Sequence, residues 1–155
     1  MATRYECGNQ PVMDILVQRL NPSATLPARA HPGDAGFDIR ALGDWQLAPG
    51  ERAAIPTGIS IAIPHGYVGL VHPRSGLALK HGVTVANAPG TIDAAFRGEV
   101  KVIMINHGSE PFLIENGDRI AQLVFVALAP LSLSEVDELP GTHRGSDGFG
   151  SSGLH

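Results

Sequence analysis

The chain of 155 residues has a single cysteine, Cys7, which excludes a disulfide framework and any multi-thiolate metal site and points to a reducing compartment. No apolar run approaches the roughly 18 residues that a membrane-spanning helix needs. The opening stretch MATRYECGNQ lacks the apolar segment of a secretion signal. Positive charge is scarce: 11 Lys and Arg stand against 15 Asp and Glu, for a net charge of −4 with no basic run. Neither a nucleic-acid polymer nor a membrane is therefore expected as a partner. A small anion is not excluded, because a few arginines and backbone N–H groups suffice to hold one. These absences predict a cytoplasmic protein whose ligand is small.

Turn formers are abundant. The 19 glycines and 12 prolines exceed the usual share and exclude a helix bundle, while 43% hydrophobic and 17% charged residues fit a globular chain of one domain. From Asp14 to Leu20, DILVQRL reads as a first strand. Short apolar pieces follow, separated by Pro32-Gly33-Asp34, Pro49-Gly50, Pro64-His65-Gly66 and Asn106-His107-Gly108. Alternation is clear in Ile59, Ile61 and Ile63 and again in Val100, Val102 and Met104, whereas Ile120 to Ala127 reads as a strand buried on both faces. The one helical candidate is Ser75 to His81. The expected fold is all-β: a jelly-roll-like barrel or sandwich of short strands over residues 13–136. A loose N-terminal arm would span residues 1–12, and a flexible Gly/Ser-rich arm residues 137–155.

Common catalytic patterns are missing: there is no GxxxxGK[ST], GxSxG or HExxH, and the seven histidines are scattered, mostly in turns. What carries chemistry is a series of polar blocks at strand ends. AGFDIRA (35–41) holds Asp38 among apolar neighbours, and in PRSGLA (73–78) Arg74 and Ser75 precede the helical turn, where backbone N–H groups suit a phosphate. NAPGTIDAAFRGEV (87–100) has two β-like arms, with Asp93 between Ile92 and Ala94 as an acid–base candidate. GDRIAQLV (117–124) and RGSDGFGSSG (144–153) complete the series. Singly, each also fits an ordinary turn, ion pair or linker.

In this order and spacing the five blocks resemble the five motifs of the trimeric deoxyuridine triphosphatase (dUTPase) family, from about Asp14 to Gly153. The resemblance implies hydrolysis of dUTP to dUMP and pyrophosphate with Mg²⁺, lowering dUTP and supplying dUMP for thymidylate synthesis. Asp93 would hold and deprotonate the water that attacks the α-phosphorus. Asn87 would read the uracil edge, helped by backbone groups of Thr91, Ile92 and Lys101. Arg74, Ser75 and Gly76 would form the phosphate turn, with Gln122 nearby. Mg²⁺ would be held by phosphates and water, with no direct protein ligand and Asp38 in the outer shell. Arg144 would meet the terminal phosphate, and Phe149 would stack on uracil as the C-terminal arm closes. A homotrimer is implied, each site being shared between chains.

Two positions depart from the family's pattern. Phe96 stands where Tyr is usual, keeping a flat face for the deoxyribose, and Asp147 stands where Gly is usual, adding negative charge near a triphosphate. Two other readings remain: a dCTP deaminase of similar fold, which needs a buried glutamate, and a non-catalytic nucleotide-sensing regulator.

Overall fold

The computed structural model describes residues 13–143 and 145–146. The chain runs through β1 (Leu16–Arg19), β2 (Phe37–Arg40), β3 (Trp45–Leu47), β4 (Arg52–Pro56), β5 (Ile59–Ala62) and β6 (Tyr67–His72). It continues through α1 (Ser75–His81), β7 (Val83–Val85), β8 (Gly90–Ile92), β9 (Lys101–Asn106), β10 (Phe112–Ile114) and β11 (Arg119–Ala127). All pairings are antiparallel. One sheet has the order β2-β11-β6-β8, a second β4-β9-β7, and β1-β5 and β10-β3 form two-stranded ribbons. This is the expected all-β, jelly-roll-like architecture with one short helix. No helix among the described residues is long and apolar enough to cross a membrane.

The strands are short because turn residues interrupt the apolar pieces. Gly33, Gly50 and Gly66 adopt φ values of 93°, 79° and 84°, where a side chain would strain the backbone. Inward residues of every sheet meet in one core: Ile39, Val71 and Leu123 from the first sheet, Ile55, Val83, Val102 and Met104 from the second, and Leu47, Ile59 and Ile114 from the ribbons. The alternation of Val100, Val102 and Met104 is realised, all three being buried. On β5 it is only half realised, because Ser60 between Ile59 and Ile61 is buried as well. Helix α1 matches Ser75 to His81 and ends on Gly82 in the left-handed region, which donates to the Ala78 carbonyl at 3.1 Å.

Two expectations are corrected. Strand β1 spans only Leu16–Arg19 and is exposed along its length. Strand β11 is not buried on both faces throughout: Ile120, Ala121 and Leu123 are buried, but Val126 is 41% exposed. Among the described residues the outer face of its second half is only partly covered, Val124 being half-buried and Val126 exposed. Beyond Ala127, residues 128–143 form no strand or helix and are exposed, including Leu131 and Leu133.

Asn106 stitches the closed end of the core. Its fully buried Nδ2 donates to the carbonyls of Leu47 at 3.0 Å and Glu110 at 2.8 Å, and its Oδ1 accepts from the Gly108 N–H at 2.8 Å. Truncation strands backbone groups without water, at about 1–3 kcal/mol each. Asn106→Ala is therefore expected to lose about 3 kcal/mol in chemical denaturation; a loss within error would show that these groups find other partners.

Candidate active site

Strands β2 and β11 bring the first and fourth blocks together. Gln122 lies opposite Asp38 on one side and His72 on the other, so the three side chains share the sheet's outer face. The chain leaves β6 at His72 and turns at once through Pro73 and Arg74 into α1, which carries the second block onto the same edge. A cavity of about 430 Å³ results, lined by Gly36, Asp38, Arg74, Ser75, Gly76, Arg119 and Gln122 among others. The three residues of the expected phosphate turn thus line one cavity with Gln122 and Asp38.

The cavity is held by a small polar frame. Asp38 Oδ1 stands 3.6 Å from Arg74 Nε, and Arg119 Nη1 donates to Asp38 Oδ2 at 3.2 Å. The Gln122 amide donates to the Pro73 carbonyl at 3.1 Å, pinning the start of the turn that leads into α1. The amides of Leu77 and Ala78 both donate to the Arg74 carbonyl, so among the described residues those of Ser75 and Gly76 remain as the unused donors of the first turn. Among the described residues no group of three or more His, Cys, Asp or Glu could chelate a metal. One carboxylate between two arginines does not suit direct coordination. It does suit a hydrated divalent ion that arrives on a polyphosphate.

The third block forms the other half. Between β8 and β9 the chain makes a tight turn in which the Phe96 N–H donates to the Asp93 carbonyl at 3.0 Å. Arg97 Nη1 braces it by donating to the carbonyls of Ala94 at 2.6 Å and Phe96 at 2.7 Å. Thr91, Ile92, Phe96 and Lys101 line a cavity of about 250 Å³. Asn87 is exposed in the β7–β8 turn, outside that lining, with its amide nitrogen 3.3 Å from where a Gly90 side chain would begin. Asp93 is not tucked among apolar groups. The strand alternates, burying Ile92 and leaving Asp93 exposed in the single chain.

The two halves are far apart. Ile92 pairs with Gly69 and Gln122 with His72, which places Asp93 level with Val68 near the start of β6 and Arg74 beyond its other end. At ~3.3 Å per residue, the interval from Val68 to Arg74 is about 20 Å. Arg144 and Phe149, expected to close the site, lie outside the described residues.

Three residues of the frame had no role assigned from sequence. Arg119 is visible in GDRIAQLV, but its partner Asp38 is 81 positions away. Gly98 lies beneath the Phe96 ring, where an added Cβ would come within 2.7 Å of Cζ. At Gly36 a Cβ would stand 2.6 Å from Gln122 Oε1 and 3.1 Å from Gln122 Cβ.

An all-β fold with an arginine-bearing turn at one sheet end and a hairpin pocket at the other offers two places for a small ligand. The dUTPase family model matches residues 22–153, and the chain belongs to the dUTPase family. It is 52% identical over 144 residues to the deoxyuridine 5′-triphosphate nucleotidohydrolase of Streptomyces coelicolor, covering 92% of this chain and 79% of that protein. The Thermobifida fusca protein of the same name is 54% identical over 140 residues, 90% of this chain and 78% of its own. Among solved structures, the Staphylococcus bacteriophage 80alpha dUTPase with dUpNHpp superimposes with a TM-score of 0.86 at 32% identity, covering 92% of this chain and 100% of that one. A variant of the dUTPase from phage phi11 of S. aureus, described as coordinating a structural Mg(II) ion, gives 0.77 at 29% identity over 83% and 100%.

The Gly36 contact is open to test. Gly36→Ala is expected to cost about 1 kcal/mol by pushing Gln122 off the Pro73 carbonyl. In a Gln122→Ala background, which removes the 2.6 Å contact with Oε1 but keeps the one with Cβ, that cost should shrink by more than half, as read by a double-mutant cycle on melting temperature. An undiminished cost would place the strain elsewhere.

Proposed function

We propose that this chain is a dUTP diphosphatase, hydrolysing dUTP to dUMP and pyrophosphate by attack of water on the α-phosphorus. The observation that carries the reading is the gathering of Arg74, Ser75, Gly76 and Gln122 around one polar cavity with Asp38 at its wall. Here the turn amides and Arg74 would bind phosphate oxygens, and Gln122 would keep the turn in place. Mg²⁺ belongs to the substrate as Mg–dUTP, where it would neutralise phosphate charge, with Asp38 facing its water shell. Asp93 would orient the attacking water and accept its proton, a role that suits an accessible carboxylate. Thr91, Ile92 and Lys101 would present backbone groups to uracil, with Asn87 reading its edge, while Phe96 covers the deoxyribose.

Separation of the halves by about 20 Å along β6 supports sites shared between subunits. The outer face between them is apolar: Val124 and Val126 of β11 lie beside Leu70 and Val68 of β6, with Thr91 next in line. Val68 is already buried in the single chain; packing in a homotrimer would cover Val126 and the half-buried Leu70 and Val124, and the Asp93 end of one chain would meet the Arg74 end of its neighbour. The domain division 1–12, 13–136 and 137–155 belongs to this reading, with Arg144 and Phe149 closing over the nucleotide, as does the cytoplasmic location expected from the single cysteine.

A deaminase would need a buried glutamate. Among the described residues the buried polar side chains are Thr57, Ser60 and Asn106, and the half-buried Glu99 already accepts from the Gly58 N–H at 2.9 Å. Pyrophosphate release from dUTP but not dCTP is the deciding assay; ammonia release from dCTP, or binding without turnover, would support the other readings.

Two variants probe the roles. Asp93→Asn should still bind dUTP while kcat falls by roughly 10²–10⁴-fold, the worth of a positioned base; near-normal turnover would assign the water to another group. For the sugar, Phe96→Tyr should leave the dUTP/UTP ratio of kcat/KM little changed. Phe96→Ala should admit UTP, because the flat face that excludes a 2′-hydroxyl is gone, and an unchanged ratio would remove Phe96 from sugar selection.

A further inference from the structure

Two arginines meet one carboxylate beside the phosphate turn, and they hold it differently. Arg119 Nη1 donates to Asp38 Oδ2 at 3.2 Å, whereas Arg74 Nε stands 3.6 Å from Oδ1, outside good hydrogen-bond range. Arg74 is tied separately, donating from Nη1 to the Arg119 backbone carbonyl at 3.0 Å. The Asp38 side chain is only 17% exposed, so leaving it without a cation is costly. When the Arg74 fork turns onto an incoming phosphate, the contact it gives up most readily is the looser of the two on Asp38. The Arg119 contact can stay as it is.

We propose that Arg119 is a positioning residue for triphosphate capture. It holds Asp38 through Oδ2, so that Arg74 can exchange the carboxylate for a phosphate oxygen without leaving Asp38 unpaired beside the incoming anion. The inference rests on the assignment of Arg74 to the substrate phosphates. With a neutral side chain at 119, Asp38 depends on Arg74 alone, and phosphate and carboxylate compete for one guanidinium. The Arg119 side chain is 41% exposed, so its ion pair adds little to fold stability. Its loss should appear in binding.

The test is calorimetric titration of the full-length protein with the α,β-imido analogue of dUTP and with dUMP. Wild type, Arg119→Gln, Arg119→Lys, Asp38→Asn and the Asp38→Asn/Arg119→Gln double variant are compared, with melting temperatures alongside. Arg119→Gln should weaken the analogue by roughly tenfold and dUMP by less than about twofold, at an unchanged melting temperature, and Arg119→Lys should recover most of the loss. In the Asp38→Asn background, Arg119→Gln should add less than about twofold. The same tenfold loss in both backgrounds would make Arg119 a direct phosphate ligand and overturn the proposal. Equal losses for dUMP and the analogue, or a lowered melting temperature without rescue by lysine, would overturn it in favour of a structural role. A wild type that binds neither nucleotide would instead sink the functional reading, and this role with it.

Discussion

Strand β11 is clamped between β2 and β6, and its register places Gln122 opposite both Asp38 and His72 while Leu123 points into the core. A slip of one residue would exchange these faces, burying an amide and exposing a leucine. The core therefore enforces the register: Ile39, Ala121, Leu123 and Val71 are buried on the inner face. The arrangement at the Arg74 end follows from that constraint. Gln122 reaches the Pro73 carbonyl, and Asp38 reaches Arg74, because burial of their neighbours leaves no other alignment.

The same register gives the sheet two unlike faces. Its inner face joins the common core, while its outer face carries a row of apolar residues flanked by polar groups at each end. Along that row Val68 is buried, Leu70 and Val124 are half-buried and Val126 is exposed. Functional groups at the two ends of such a row lie too far apart to meet within one chain.

Glycine serves the site through absence of bulk as much as through backbone freedom. Gly36 leaves room for Gln122, and Gly98 lets the Phe96 ring settle on the backbone. Neither has a positive φ, so conformation alone does not explain them. Close approach by a neighbouring side chain does. Asn106 does the complementary work at the other end of the core, where strand ends leave backbone groups that no ladder can satisfy.

Much of this was legible in the residues themselves. Turn formers, alternation and the short Ser75 to His81 segment determined an all-β chain with one helical turn, because those signals are local and steric. The five polar blocks were equally plain, since each is contiguous in sequence. Pairing was not legible. Asp38 and Arg119 are 81 positions apart, and no local pattern states that they touch. Nor did the flanking Ile92 and Ala94 reveal that Asp93 faces outward, or the apolar run 120–127 that its second half is only partly covered. Exposure depends on what packs against each face of a strand. Composition and spacing determined which elements form and which chemistry they carry; only tertiary structure decided which blocks share a cavity, because strand register is settled by burial of the whole core at once.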